Sequence, residues 1–222
     1  MNIAILLYEG FTALDATGPF DVFSRLPGGQ VTFVSSAGGL VRADASALEI
    51  GTRPLSAAPR PDVVVVPGGT FTNRHLGDEQ LLGWLRTAHA SATWTTSVCT
   101  GALLLGAAGL LDGRRATTHW YELESLRVFG AEPVSERVVR DGDVVTAAGV
   151  SAGIDMALWV LEQIAGAEHS RAVHLVMEYD PDPPQPTGSV GRAPPELVTA
   201  MHEEMRRSYG PTWAELSAKA EA

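Results

Sequence analysis

The chain has 222 residues, carries a formal charge of −10 from 16 basic and 26 acidic side chains, and is 45% hydrophobic. At about 150 residues per domain, that length allows one domain with extensions or two very small ones. The acidic balance argues against a phosphate-backbone binder, which carries a basic stripe, and a single cysteine, Cys99, excludes an intramolecular disulfide framework or a cysteine-based zinc cluster. No run of about 18 apolar residues occurs, so no membrane-spanning helix is expected. The N-terminal apolar run has no basic region before it and is too short for a signal peptide, so a cytoplasmic location is expected.

In chain order, Ile3 to Tyr8 reads as a strand buried on both faces, broken at Glu9-Gly10. Asp15 to Leu26 reads as a helix, with Pro19 tolerable in its first turn. Val31 to Ser36 is a second strand, and Leu40 to Gly51 alternates loosely as short edge strands. The four valines Val63 to Val66 form the clearest buried strand, stopping at Pro67-Gly68-Gly69. Asp78 to Ser91 is an amphipathic helix. Thr93 to Val98 is β-rich and runs directly into Cys99, after which Thr100 to Leu111 is small, apolar and helical. His119 to Phe129 is a further helix, and Asp141-Gly142 marks a hairpin within Arg137 to Ala147. Ile154 to Ile164 and Ser170 to Glu178 are apolar helices.

Strands alternating with helices predict an α/β sandwich around a mainly parallel sheet, taken as one domain over residues 1–179. Residues 180–194 are a proline-rich linker expected to be more extended than packed. Residues 195–222 are a helical extension.

Four segments carry candidate chemistry. In Ser97-Val98-Cys99-Thr100-Gly101 a strand ends, a thiol follows, and a small-residue helix begins. That layout exposes a nucleophile at the carboxyl edge of a parallel sheet, where free N–H groups of a helix start favour thiolate. A buried cysteine used as a small hydrophobe gives the same sequence. Asp15, after the first strand, reads on residue type alone as a helix N-cap, and alternatively as an acid approaching Cys99. Gly68 and Gly69 either form a plain turn or offer N–H groups to an oxyanion hole together with Thr100. His119, followed by Trp120, either starts a helix or orients a substrate near Cys99.

Gly149-Val150-Ser151-Ala152-Gly153 matches G-x-S-x-G. The strand before it leaves a hairpin and is expected to be an antiparallel partner, not the central parallel strand a nucleophile elbow needs, so Ser151 reads as a helix start. His75, His89, His169, His174 and His202 are scattered, no metal-ligand spacing emerges, and no metal or cofactor is expected.

Taken together, Val63–Gly69, Ser97–Gly101, Ala116-Thr117-Thr118-His119-Trp120 and Gly149–Asp155 resemble the PfpI/ThiJ branch of the glutamine-amidotransferase-like superfamily over about residues 1–180. The resemblance implies a flavodoxin-like three-layer sandwich, a strained cysteine elbow and a homodimer. Peptidase-like members place His directly after the cysteine, where this chain has Thr100. No downstream His and Glu complete an amidotransferase triad. Leu14-Asp15 with Gly18-Pro19, and Cys99-Thr100-Gly101, are similar to the isonitrile hydratase family, which implies functional roles for Asp15, Cys99 and Thr100. The implied reaction adds water to a small uncharged isonitrile through a cysteine thioimidate. Gly68, Gly69, His119 and Trp120 then become substrate-binding candidates in an apolar pocket. The alternatives are another thiol hydrolase or glyoxalase-like enzyme on this fold, or a small-molecule or redox sensor related to the N-terminal half of AraC-type regulators.

Overall fold

The computed structural model describes residues 1–44 and 48–220. Its elements, in chain order, begin with β1 (Asn2–Leu6), α1 (Ala13–Phe23), β2 (Gln30–Ser35), β3 (Gly39–Arg42), β4 (Glu49–Pro54) and β5 (Val63–Val66). Then come α2 (Glu79–His89), β6 (Trp94–Val98), α3 (Gly101–Ala107), β7 (Arg115–Ala116), a 3-10 helix (Trp120–Phe129) and β8 (Glu132–Pro133). The chain ends with β9 (Val138–Asp141), β10 (Val144–Ala147), α4 (Ala152–Val176), α5 (Pro195–Tyr209) and α6 (Trp213–Ala220). The expected edge strands between Leu40 and Gly51 are β3 and β4; residues 45–47 of that stretch lie outside the described residues.

The main sheet has eight strands in the order β3-β4-β2-β1-β5-β6-β10-β9. Every pairing from β4 to β10 is parallel, and only β3 and β9, at the two edges, run antiparallel. Strands covered on both faces lose the in-out alternation and become runs of apolar residues, which is why β5 is four consecutive buried valines. Helices α1 and α4 pack together against the sheet, and α2 and α3 form a second pair. This is the α/β sandwich that the alternating strands and helices predicted, in the flavodoxin-like form that the resemblance implied.

The order places β1, β5 and β6 side by side, so the segments leaving their carboxyl ends converge. These segments carry Asp15, Gly68-Gly69 and Cys99. Successive strands leave β1 in opposite directions, to β2 on one side and β5 on the other, which opens a crevice at that edge.

Four local differences from the sequence reading have physical causes. Helix α1 begins two residues earlier than expected, so Asp15 lies inside its first turn and Thr12 is the N-cap. Helix α3 stops at Ala107 because Gly109, at φ +78°, provides the left-handed turn that ends a helix. The segment after His119 is a 3-10 helix. Its three-residue turn stacks positions i and i+3, and Ser125 donates its hydroxyl to Glu122 across that spacing. Helix α4 runs through the two expected helices but is broken at Gly166 (φ +83°, ψ +162°), a conformation glycine tolerates.

A fifth difference concerns β10. It is antiparallel to β9 as the hairpin predicted, yet parallel to β6, and so belongs to the parallel set. The expectation of a purely antiparallel strand before Ser151 is therefore corrected.

The segment after Asp180 does not trail away. The Tyr121 hydroxyl donates to Gly210 O at 2.6 Å, and Trp213 N–H donates to Glu122 Oε2 at 3.0 Å. These bonds fold α5 and α6 back over the carboxyl edge of the sheet.

Candidate active site

Cys99 follows β6 directly and adopts φ +55°, a left-handed conformation that costs a side-chain-bearing residue energy. Three groups hold it there. Its N–H donates to Ala148 O at 2.7 Å, the Thr118 hydroxyl donates to its carbonyl at 2.7 Å, and Thr100 donates its backbone N–H toward the sulfur. The elbow packs against the turn after β5 so tightly that Gly68 admits no side chain: a Cβ there would fall 2.9 Å from the Cys99 Cβ and closer still to Thr100 N.

Asp15 is fully buried. It does not cap α1, since the N-cap receives no side-chain bond, and its Oδ2 instead accepts the Gly68 N–H at 2.9 Å. The N-cap reading of Asp15 is thereby corrected. Oδ1 has no hydrogen-bond partner among the described residues, and the Asp44 carboxylate and the Cys99 thiol bear on that carboxyl. Asp15 and Cys99 lie together without the geometry of a formed hydrogen bond. Burial pushes the Asp15 carboxyl up to about 7, against the lowering effect of the Gly68 N–H. Burial, and then the neighbouring Asp15 charge, push the Cys99 thiol well above its ordinary value. The expected thiolate at a helix start is thus outweighed by desolvation. Above pH 7 the pair carries one proton, on sulfur.

The Thr100 hydroxyl accepts the Gly69 N–H at 3.0 Å and meets the Thr72 hydroxyl at 2.7 Å, which in turn meets the Tyr8 hydroxyl at 2.9 Å. Both glycine N–H groups expected to form an oxyanion hole therefore already have partners, Gly68 with Asp15 and Gly69 with Thr100. Gly69 still lines the cleft; Gly68 acts from behind it.

Above Cys99 lies a cleft of about 150 Å³. Its floor is Cys99, Thr100 and Gly69, its polar side is Thr70, Thr72, Asn73 and Glu122, and Val150 and His119 form a further wall. The expectation of an apolar pocket is only partly met, because the hydroxyls of Thr12, Thr70 and Thr72 from the β1 and β5 loops converge here with the carboxylates of Asp44 and Glu122.

His119 is half-buried, and desolvation lowers its pKa to about 4, so its imidazole is neutral, and Nδ1 accepts the Tyr121 N–H at 3.3 Å. That bond leaves the proton on Nε2, a donor and not a base. Trp120 does not line this cleft. It stacks obliquely near His202, at 6.4 Å between ring centres, and faces a second hollow with Val190, Leu197 and Met201. Its expected place as a substrate wall is corrected: it opens the 3-10 helix directly after His119, and its ring lies along that second hollow instead of the cleft.

Ser151 is exposed, has a relaxed φ of −73°, and receives the Arg137 guanidinium at 3.3 Å; it has none of the strain or burial of Cys99. Sequence reasoning missed Glu122, Tyr121, Met205 and Tyr209 as cleft residues. Nothing in their local pattern marks them, and only the folding back of α5 brings the last two there.

Comparison with known proteins agrees with this geometry. The chain is 41% identical over 212 residues to an isonitrile hydratase of Pseudomonas putida, covering 96% of this chain and 91% of that protein. A solved ThiJ/PfpI family protein from Pseudomonas syringae superposes with a TM-score of 0.88 at 37% identity, covering 94% of this chain and 87% of that one. An HTH-type transcriptional regulator of Pseudomonas aeruginosa is 29% identical over 170 residues, 73% of this chain but 50% of the regulator. The DJ-1/PfpI family profile matches residues 1–163, and the chain belongs to that family.

Proposed function

We propose that the protein is an isonitrile hydratase, adding water to R–N≡C to release an N-substituted formamide. The observation that carries this reading is the pair made by Cys99 on the cleft floor and the fully buried Asp15, whose Oδ1 has no partner among the described residues, beside the only thiol of the chain. The identity with the Pseudomonas putida enzyme supports the substrate class. Hydration involves no net oxidation or reduction, so the reading calls for no redox cofactor.

With one proton on the pair, Asp15 takes the thiol proton and delivers it to the isonitrile carbon as sulfur bonds to that carbon. The product is a thioimidate, R–N=CH–S–Cys99, and Asp15 is again a carboxylate. Asp15 then accepts a proton from water as the water oxygen attacks the same carbon, and passes that proton to the nitrogen, giving R–NH–CH(OH)–S–Cys99. On collapse the C–S bond breaks, the hydroxyl proton of this adduct passes through Asp15 to sulfur, and R–NH–CHO is released. The Thr100 N–H steadies the sulfur while it carries charge; loss of one such donor typically costs about 3 kcal/mol of transition-state stabilisation. His119 Nε2–H and the hydroxyls around Thr72 are placed to orient the substrate and the water.

Formamide production from a simple alkyl isonitrile, measured for the wild type, Cys99→Ala and Asp15→Ala, tests the reading. Turnover by the wild type and its loss in both variants is expected; full activity in either variant overturns the mechanism. The match to half of a transcriptional regulator favours a second reading, ligand sensing by the same cleft. Binding of an isonitrile without turnover would select it. The first reading also makes the active form a cytoplasmic homodimer without a nucleic-acid partner, and light scattering checks the dimer.

A further inference from the structure

The cleft over Cys99 is not closed by the α/β layers alone. Met205 and Tyr209, both from α5, line it, although they lie more than 100 residues beyond Cys99 in sequence. Helix α5 buries none of its residues fully, so a hydrophobic core does not fix its position. What fixes it is the segment just after it. The Tyr121 hydroxyl donates to Gly210 O at 2.6 Å, Trp213 N–H donates to Glu122 Oε2 at 3.0 Å, and Ala214 N–H donates to Ser125 Oγ at 3.0 Å. Glu122 and Ser125 thus satisfy free N–H groups at the start of α6, and the Trp213 ring packs against the core.

We infer that α5 is the specificity wall of the site: Met205 and Tyr209 limit the size of the group on the isonitrile nitrogen, and the Glu122–Ser125 seat of α6 holds that wall over Cys99. The inference rests on the proposed hydratase reading for its substrate but not for its geometry. Met205 lies at the accessible side of the cleft, so shortening it enlarges the space above the sulfur without opening a core cavity. Glu122 both lines the cleft and seats α6, so it acts on substrate directly as well as through α6 and α5.

The test uses the full chain, in which Cys99 is the one alkylation site. Rates of modification by N-methylmaleimide and N-cyclohexylmaleimide are measured for the wild type, Met205→Ala, Met205→Trp and Glu122→Ala, alongside kcat/KM for methyl and cyclohexyl isonitrile. The bulky-to-small ratio is expected to rise about tenfold in Met205→Ala, fall by a similar factor in Met205→Trp, and rise in Glu122→Ala, the scale set by pockets that differ by a few methylenes. Rescue of the ratio in Glu122→Gln, which retains an acceptor for Trp213 N–H, separates positioning from a general loss of structure. Ratios that stay constant across the Met205 variants overturn the wall even if isonitriles are hydrated. Ratios that shift for the maleimides while no isonitrile turns over keep the wall and remove the hydratase reading.

Discussion

Asp15 and Gly68 are joined by a 2.9 Å hydrogen bond that ties the first turn of α1 to the loop after β5. The bond occupies one carboxylate oxygen and leaves the other without a partner among the described residues. It therefore fixes the carboxyl beside Cys99 without neutralising it, and burial is left to set its proton affinity.

This burial has a measurable stability cost. A carboxyl with a folded pKa of about 7 and an unfolded value of 3.8 binds its proton more tightly in the native state. Its contribution is fully present below pH 3.8 and is lost as pH rises through about 7, a difference on the order of 4 kcal/mol. Asp15→Asn, which keeps an acceptor for Gly68 N–H, is expected to be more stable than wild type at pH 8 by a few kcal/mol and to lose activity by about 10²–10⁴-fold. Urea unfolding at pH 4 and pH 8 checks the first; an isonitrile assay checks the second.

The same carboxyl sets the pH profile. Below about pH 7 both groups of the pair are protonated, and Asp15 cannot accept the thiol proton. kcat/KM is expected to rise with pH through about 7, with no falling limb from thiol ionisation until well above pH 9. In Asp15→Asn the residual rate should lose the rising limb.

Thr100→Val removes the hydroxyl that accepts the Gly69 N–H and joins Thr72. Leaving that donor without a partner is expected to cost about 1–2 kcal/mol in denaturant unfolding and to lower kcat more than it raises KM.

Ser151→Ala is expected to leave hydration unchanged, because Ser151 is exposed and bound to Arg137 outside the cleft. A large loss of activity in that variant would return the G-x-S-x-G segment to consideration.

The layered fold was legible because it depends on local signals: buried valine runs, alternating helices, and turns rich in glycine. The Cys99 elbow was legible for the same reason, since a β-rich run meets a small-residue helix there. Asp15 as a cap was misread because a helix start cannot be placed to within two residues from sequence, and those two residues decide whether the carboxylate reaches its own backbone or Gly68. Trp120 was misplaced because its direction depends on 3-10 rather than α geometry. Met205 and Tyr209 were out of reach, since their role comes from a fold-back across a proline-rich segment that carries no periodic pattern.

The prior engagement of the two glycine amides limits what this elbow can attack. An ester or peptide carbonyl pushed onto Cys99 would need donors for the negative oxygen it develops, and the Gly68 and Gly69 amides already serve Asp15 and Thr100. A substrate that reacts at a terminal carbon and places no anionic oxygen there in the first step makes no such demand, so under the proposed hydration this elbow suits addition to carbon better than acyl-group cleavage.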